Sequence, residues 1–230
     1  MATTEELKRK AAEAALEYVK PGMVLGLGTG STARLFLEGV ARLVESGMDL
    51  KAVPTSLATA EAAKKMGVPL TSLEESMWLD LCVDGADEVD RRLNLIKGLG
   101  GALFREKIVA TASKRFVVVV DQSKLSSRLG TKAPVPVEAH PFGWKNVSAA
   151  LQALGAQVEL RQKEGEPFRT DNGNHILDAA FGPIQRAAKL ASAIAGIPGV
   201  VGHGLFLGMA HAVLVGTPKG VRTLVPRQTT

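Results

Sequence analysis

The chain has 230 residues, 28 basic against 23 acidic side chains for a formal net charge of +5, a 46% hydrophobic fraction and 24 glycines. That length buries a full core in one large domain or in a main domain with a smaller one, and the composition excludes a disordered or fibrous chain. Basic residues are interspersed with acidic ones and aromatics make up only 4%, so the basic stripe with stacking rings that nucleic-acid binding asks for is missing, and a small anionic substrate is the better use of the positive excess.

Cys82 is the single cysteine, which excludes an internal disulfide. No run reaches the roughly 18 apolar residues of a membrane span. Glu5 and Glu6 precede the first lysines, the wrong charge order for a signal peptide. A cytoplasmic protein with no membrane and no nucleic-acid partner is expected.

In chain order, Thr4 is placed to cap a helix over residues 5–19, which Pro21-Gly22 ends. Residues 23–27 read as a short apolar strand, closed by Gly28-Thr29-Gly30-Ser31-Thr32. A helix over 33–45, a strand over 50–53, a helix over 57–66 and a strand over 79–83 follow. The helix over 102–112 and the unbroken apolar strand over 116–120 complete a first series. Apolar strands alternating with helices indicate a parallel sheet covered on both faces.

Beyond about residue 130 the pattern changes to strand 135–139, helix 144–154, strand 157–160, a turn at Thr170-Asp171-Asn172-Gly173-Asn174, strand 175–179, helix 184–194 and strand 200–206. That β-α-β-β-α-β order is the ferredoxin-like, split βαβ pattern. The fold class predicted is therefore α/β: a Rossmann-like parallel-sheet domain over 1–130 plus 207–230, with a smaller ferredoxin-like α+β lobe inserted at 131–206. Strands at 212–215 and 221–224 return the chain to the first sheet.

Gly26-Leu27-Gly28-Thr29-Gly30-Ser31-Thr32 sits at a strand-to-helix junction, where glycines let amides approach an anion and the helix N-terminus adds N–H groups and dipole. Ser31 replaces the last glycine of a dinucleotide fingerprint and no lysine follows as in a Walker loop. A single phosphate monoester fits better, with Ser31 and Thr32 as hydroxyl donors; the bland reading is a capped βα turn.

Asp84-Gly85-Ala86-Asp87-Glu88-Val89-Asp90 follows a buried strand, at the edge where doubly wound sheets bind ligands. Its spacing is not that of an EF-hand and no histidine lies near, so no metal ligands are assigned. Asp84 and Asp87 suit hydroxyl recognition, while Asp90 reads as a solvated capping acid. Lys97-Gly98-Leu99-Gly100-Gly101 leads into the helix that carries Glu106, which on its own reads first as a dipole-compensating acid. Lys124, after strand 116–120, faces the same edge; Lys8, Thr55 and Ser56 are weaker candidates. Cys82 and the four histidines receive no chemical role.

Together GLGTGST at 26–32, DGADEVD at 84–90, IKGLGGALFREK at 96–107, DQSK at 121–124, TDNGN at 170–174 and IPGVVGHGLF at 197–206 resemble ribose-5-phosphate isomerase of the A type over nearly the whole chain. The resemblance implies that Thr29, Gly30, Ser31 and Thr32 hold the substrate and that Lys124 and Lys8 complete the anion set. It implies substrate contact along Asp84, Gly85, Ala86 and Asp87 and along Lys97, Gly98, Leu99 and Gly100, with Glu106 the catalytic base assisted by Asp84, Asp87 and Lys97. Leu99 departs from the commoner KGGG form. The expected activity is interconversion of ribose 5-phosphate and ribulose 5-phosphate through an enediolate, with no cofactor and no metal, in a homodimer or homotetramer. An amino-sugar-phosphate deaminase and a silent sugar-phosphate sensor are the competing readings.

Overall fold

The computed structural model describes residues 2–226 of the chain. It opens with α1 (Thr4–Ala15), whose cap is Thr3 rather than the expected Thr4. Thr3 Oγ1 accepts the Glu6 N–H at 3.2 Å and Glu6 Oε2 accepts the Thr3 N–H at 2.7 Å, a reciprocal box that satisfies two orphan donors. Then come β1 (Val24–Leu27), α2 (Ser31–Glu45), β2 (Lys51–Pro54), α3 (Leu57–Lys65) and β3 (Leu81–Asp84). Next are β4 (Glu88–Val89), β5 (Leu95–Ile96), α4 (Leu103–Thr111), β6 (Phe116–Asp121), β7 (Val135–Ala139), α5 (Trp144–Ala153) and β8 (Gln157–Leu160). The chain ends through β9 (Gln162–Lys163), β10 (Glu166–Pro167), β11 (His175–Ala180), α6 (Ala187–Ala195), β12 (Val200–His203), β13 (Leu205–Phe206), β14 (Ala212–Thr217) and β15 (Gly220–Leu224). No described helix is long and apolar enough to cross a membrane.

Two compact units divide these elements. The first holds residues up to Ala86, Arg105–Lys124 and the chain from Gly208 onward. Its six-stranded sheet has the order β15-β14-β6-β3-β1-β2, parallel except for the β14–β15 hairpin. Alternate strand residues Leu25 and Leu27, Leu81 and Val83, Val117 and Val119 form one core with Ala11 and Ala15 of α1 and Phe36 and Val40 of α2. Small residues set the spacing: a Cβ on Gly216 would collide with the Leu7 carbonyl of α1. At Gly26, a Cβ would come within 2.6 Å of Val109 Cγ1 in α4. Pairing of β1 with β2 on one side and β3 on the other reverses the strand order there. The carboxyl ends of β1 and β3 thus meet at a topological switch point, the usual ligand crevice of such sheets.

The second unit holds Asp87–Phe104 and Leu125–Leu207. Its four-stranded sheet, β12-β7-β11-β8, is antiparallel and built in the order β-α-β-β-α-β. Val135, Val137, Leu177 and Ala179 pack with Val147 and Leu151 of α5 and Ile194 of α6. Residues 87–104 and 125–130, expected in the first domain, fall in this second unit: β4 and β5 pair with β13, and Ile96 and Leu129 belong to the second core. The strand expected over 200–206 is two strands in different sheets, because the chain turns at Gly204. A Cβ there would collide with the Lys97 carbonyl. The 170–174 turn is locked by buried Glu138, whose Oε1 accepts Thr170 Oγ1 at 2.9 Å, Asn172 Nδ2 at 3.1 Å and Asn174 Nδ2 at 2.8 Å.

Candidate active site

In the first unit, α2 begins at the carboxyl end of β1. Its cap is Gly30, with φ 114°, a left-handed backbone that favours glycine. No acidic residue occupies the first turn, so the N–H groups and dipole of α2 are uncompensated there. Lys8, one of the weaker candidates in the sequence, comes in from α1 and donates from Nζ to Ser31 Oγ at 3.0 Å. Ammonium, hydroxyl and helix N-terminus together form an anion cradle. The Thr29 hydroxyl is used differently: it lies 2.7 Å from Thr55 Oγ1, 2.9 Å from Ser56 Oγ and 3.1 Å from Thr59 Oγ1. Thr59 in turn donates to the Gly28 carbonyl at 3.1 Å. This hydroxyl cluster sets the loop, and Thr59 is a member that sequence reasoning missed.

Asp84, at the end of β3, lies directly against that loop. Its Oδ1 accepts the Thr29 N–H at 3.1 Å and the Gly85 N–H at 2.7 Å. Gly28 makes the approach possible, since any Cβ there would collide with the Asp84 carboxylate. Asp84 is 1% exposed, and Glu106, in the first turn of α4, is 4% exposed. A carboxylate at a helix start is ordinarily a solvated partner of the dipole; burial of Glu106 removes that reading. Lys124 ends the short 3-10 turn Gln122–Lys124 after β6 and is half-buried, with no ion pair among the described residues. Asp121 fixes that turn by accepting the Ser123 N–H at 2.8 Å. Gly85 and Ala86 are half-buried.

The second unit brings Asp87 and the glycine loop together. Asp87 Oδ2 accepts the Leu99 N–H at 2.9 Å. Lys97 is 2% exposed, with its backbone N–H on the Gly204 carbonyl at 2.9 Å and its Nζ 5.6 Å from the centre of the Phe206 ring. Gly98 has φ 108° and Gly101 φ 82°, whereas position 99 is not in the left-handed region. That explains why leucine is tolerated at 99: its backbone is used and its side chain stays exposed. Gly100 is exposed beside it.

Arg161, unremarked in the sequence, braces this loop. Its Nη1 donates to the Gly98 and Leu99 carbonyls at 2.9 Å each, while Nε and Nη2 grip Asp178. An arginine 62 residues from Leu99 carries no motif, so only the fold could find it. The remaining acids are structural. Asp90 folds back onto the Arg92 and Asn94 N–H groups, and buried Glu88 accepts from Gly130, Thr131 and Ala133.

The profile of the family ribose 5-phosphate isomerase A (phosphoriboisomerase A) matches residues 51–220. The chain is 50% identical, over 97% of its own length and 99% of the relative's, to ribose-5-phosphate isomerase A of Synechococcus sp. (strain JA-3-3Ab). It is 52% identical to the Gloeobacter violaceus protein of the same name, over 96% of both chains. A solved D-ribose-5-phosphate isomerase in complex with phospho-erythronic acid superposes with a TM-score of 0.95 at 41% identity, covering 97% of this chain and all of that one.

Proposed function

Since the chain belongs to the ribose 5-phosphate isomerase A family, we propose that it interconverts ribose 5-phosphate and ribulose 5-phosphate by moving a proton between C2 and C1 through an enediolate. The observation that carries this reading is that one unit holds both an anion cradle, Lys8 with Ser31 at the start of α2, and two buried carboxylates, Asp84 and Glu106. A phosphate monoester fits the cradle, and a carboxylate withdrawn from water suits a base that must work near neutral pH.

In this mechanism Ser31, Thr32, Lys8 and Lys124 anchor the phosphate, and that remote binding energy orients the reacting carbons. Asp84 assists furanose opening and passes the proton between O1 and O2. Glu106 removes the C2 proton of the open aldose and returns it to C1. Lys97 faces the oxyanion as charge develops, and Asp87 orients hydroxyls while holding Leu99. The complex of the related isomerase with phospho-erythronic acid supports this assignment, because that ligand joins a phosphate to a carboxylate whose charge stands in for the enediolate oxygens. No cofactor or metal enters these steps, and turnover is expected to survive exhaustive chelation.

We also expect a homodimer or homotetramer, with the second unit contributing to assembly; its Phe142 is 98% exposed. Light scattering on Phe142→Ser tests that assignment. The catalytic reading is tested by incubating the purified protein with ribose 5-phosphate in D₂O under NMR. Ketose formation with deuterium entering C1 is expected; ammonia release from glucosamine 6-phosphate in a parallel incubation would point instead to a deaminase, and saturable binding with no turnover would overturn the proposal.

A further inference from the structure

We propose that a cavity of about 640 Å³ in the second unit, at the β4–β5 turn and the start of α6, is a second anion site for a small ligand carrying two or more phosphates, a nucleoside polyphosphate by class. Arg91 and Arg92 from the turn, Arg128 from the following segment, and Arg186 and Lys189 from the start of α6 all line it. None of the five is in an ion pair among the described residues. The acid in the lining, Asp90, does not balance them. Its Oδ1 accepts the Arg92 N–H at 2.7 Å and the Asn94 N–H at 2.9 Å, and its Oδ2 accepts Asn94 Nδ2 at 3.0 Å.

Five cations around one concavity repel one another, and a bound polyanion relieves that repulsion. The start of α6 adds to the same sign. Its cap, Arg186, makes no side-chain capping bond, and the first turn holds no acid. One phosphate would satisfy two or three of these groups; a chain of phosphates reaches more of them. The apolar part of the lining is narrow: Leu207 is half-buried, while Ile184 and Leu129 keep only 8% and 1% of their surface. Such a wall gives a base one apolar contact, at Leu207, and the volume lies within the roughly 300–1,000 Å³ of small-ligand pockets. The lining shares no residue with the set proposed for isomerisation, so this inference stands without that reading.

The turn itself is ordered by its own chemistry. Leu93 holds φ 61° while buried, between the arginines and Asn94. A non-glycine residue in that region persists where surrounding contacts over-determine it, and here the Asp90 bonds supply them. Arg91 and Arg92 therefore project from a fixed turn, and less ordering entropy opposes binding.

The test is calorimetric titration of ATP, tripolyphosphate and AMP into the full chain, its Arg128→Glu/Arg186→Glu form and its Lys8→Met form. Expected are saturable ATP binding, weaker AMP binding, and a loss of at least about 30-fold in ATP affinity in the double charge reversal, with Lys8→Met unchanged. Circular dichroism and basal turnover should match the wild type in the double variant. Should it fail to fold, the milder Arg91→Gln/Lys189→Gln form is expected to weaken ATP at least about 5-fold. Absence of saturable ATP binding overturns the site, as does binding that Lys8→Met abolishes and the charge reversal leaves intact. Tripolyphosphate binding as tightly as ATP would keep the polyphosphate site and refute the role of the apolar wall.

Discussion

Replacing Arg161 by Met keeps much of the side chain's length while deleting its fork. Two hydrogen bonds to the Gly98 and Leu99 carbonyls disappear, and Asp178 loses its partner in surroundings where the two side chains are 14% and 21% exposed. Charged hydrogen bonds contribute about 1.5–3 kcal/mol each, and breaking a buried pair costs about 3–5 kcal/mol before screening by partial exposure. Solvent reaching both carbonyls offsets part of that loss. A net destabilisation of roughly 2–4 kcal/mol follows, which for a chain of this size lowers Tm by roughly 5–15 °C. The functional consequence is separate. The loop loses its brace on the carbonyl side, keeping the Asp87–Leu99 bond, the Gly101 N–H on the Gly98 carbonyl and the Lys97 N–H on the Gly204 carbonyl, so the segment beside Lys97 is held less accurately. A misplacement of about 1 Å can cost about 100-fold in rate, so kcat should fall about 10- to 100-fold while KM rises less. Asp178→Asn, which spares the bonds to the loop, should lower Tm and leave kcat within about 3-fold. Stopped-assay kinetics at 25 °C beside thermal melts decide it. A melt that shifts as expected with kcat unchanged in Arg161→Met would refute the bracing argument.

Glu106→Gln should lower kcat by at least about 1,000-fold with substrate affinity nearly intact, since an amide cannot accept the C2 proton; turnover near wild type in a folded variant would remove Glu106 as base. Lys8→Met removes an ammonium from the start of α2 and should raise KM about 10- to 100-fold with a smaller change in kcat, and an unchanged KM would place the phosphate elsewhere. Burial pushes the Lys107 ammonium down to about 8. Its folded amine should therefore acetylate with a rate that rises through pH 8, read by mass spectrometry against the denatured chain, whose lysine titrates near 10.4. The sign for stability follows: below pH 8 the buried ammonium opposes folding, and that penalty fades as pH climbs toward the unfolded value. A labelling profile identical in folded and denatured protein would contradict the burial.

Legibility in the sequence followed the range of the forces involved. Local signals came through: the apolar strand at 116–120, the glycine loop after β1 and the turn at 170–174 are each decided by neighbours a few residues away. Two-residue strands such as β4 and β5 have no periodicity to read, and with them went the boundary at 87–104. The cap shifted from Thr4 to Thr3 because a capping box needs Glu6 three residues on. For the site, strand ends and glycines pointed to Asp84, Lys97 and the 28–32 loop, whereas Glu106 by itself read as helix decoration and was raised to a base only by the family resemblance, to which the fold adds its burial. Arg161, Thr59 and Glu138 were beyond reach for one shared reason. Each makes bonds to residues 30 to 63 positions away, and a lone polar residue in a strand or helix carries no mark of that partner.

Leu99 joins both sides of that division. From the sequence it is a departure inside a glycine run, and the run suggests that every position needs glycine's freedom. The backbone says otherwise: left-handed φ values fall at 98 and 101, and position 99 is held by its N–H on Asp87 and its carbonyl on Arg161. A side chain at 99 is therefore neutral to the loop's path, and the loop's shape depends on two flanking glycines and two distant charges. Within a family, substitution at 99 should then be tolerated wherever Asp87 and Arg161 are kept, while a Cβ at 98 would press on Leu103 and require a left-handed conformation that costs a non-glycine residue about 1–2 kcal/mol.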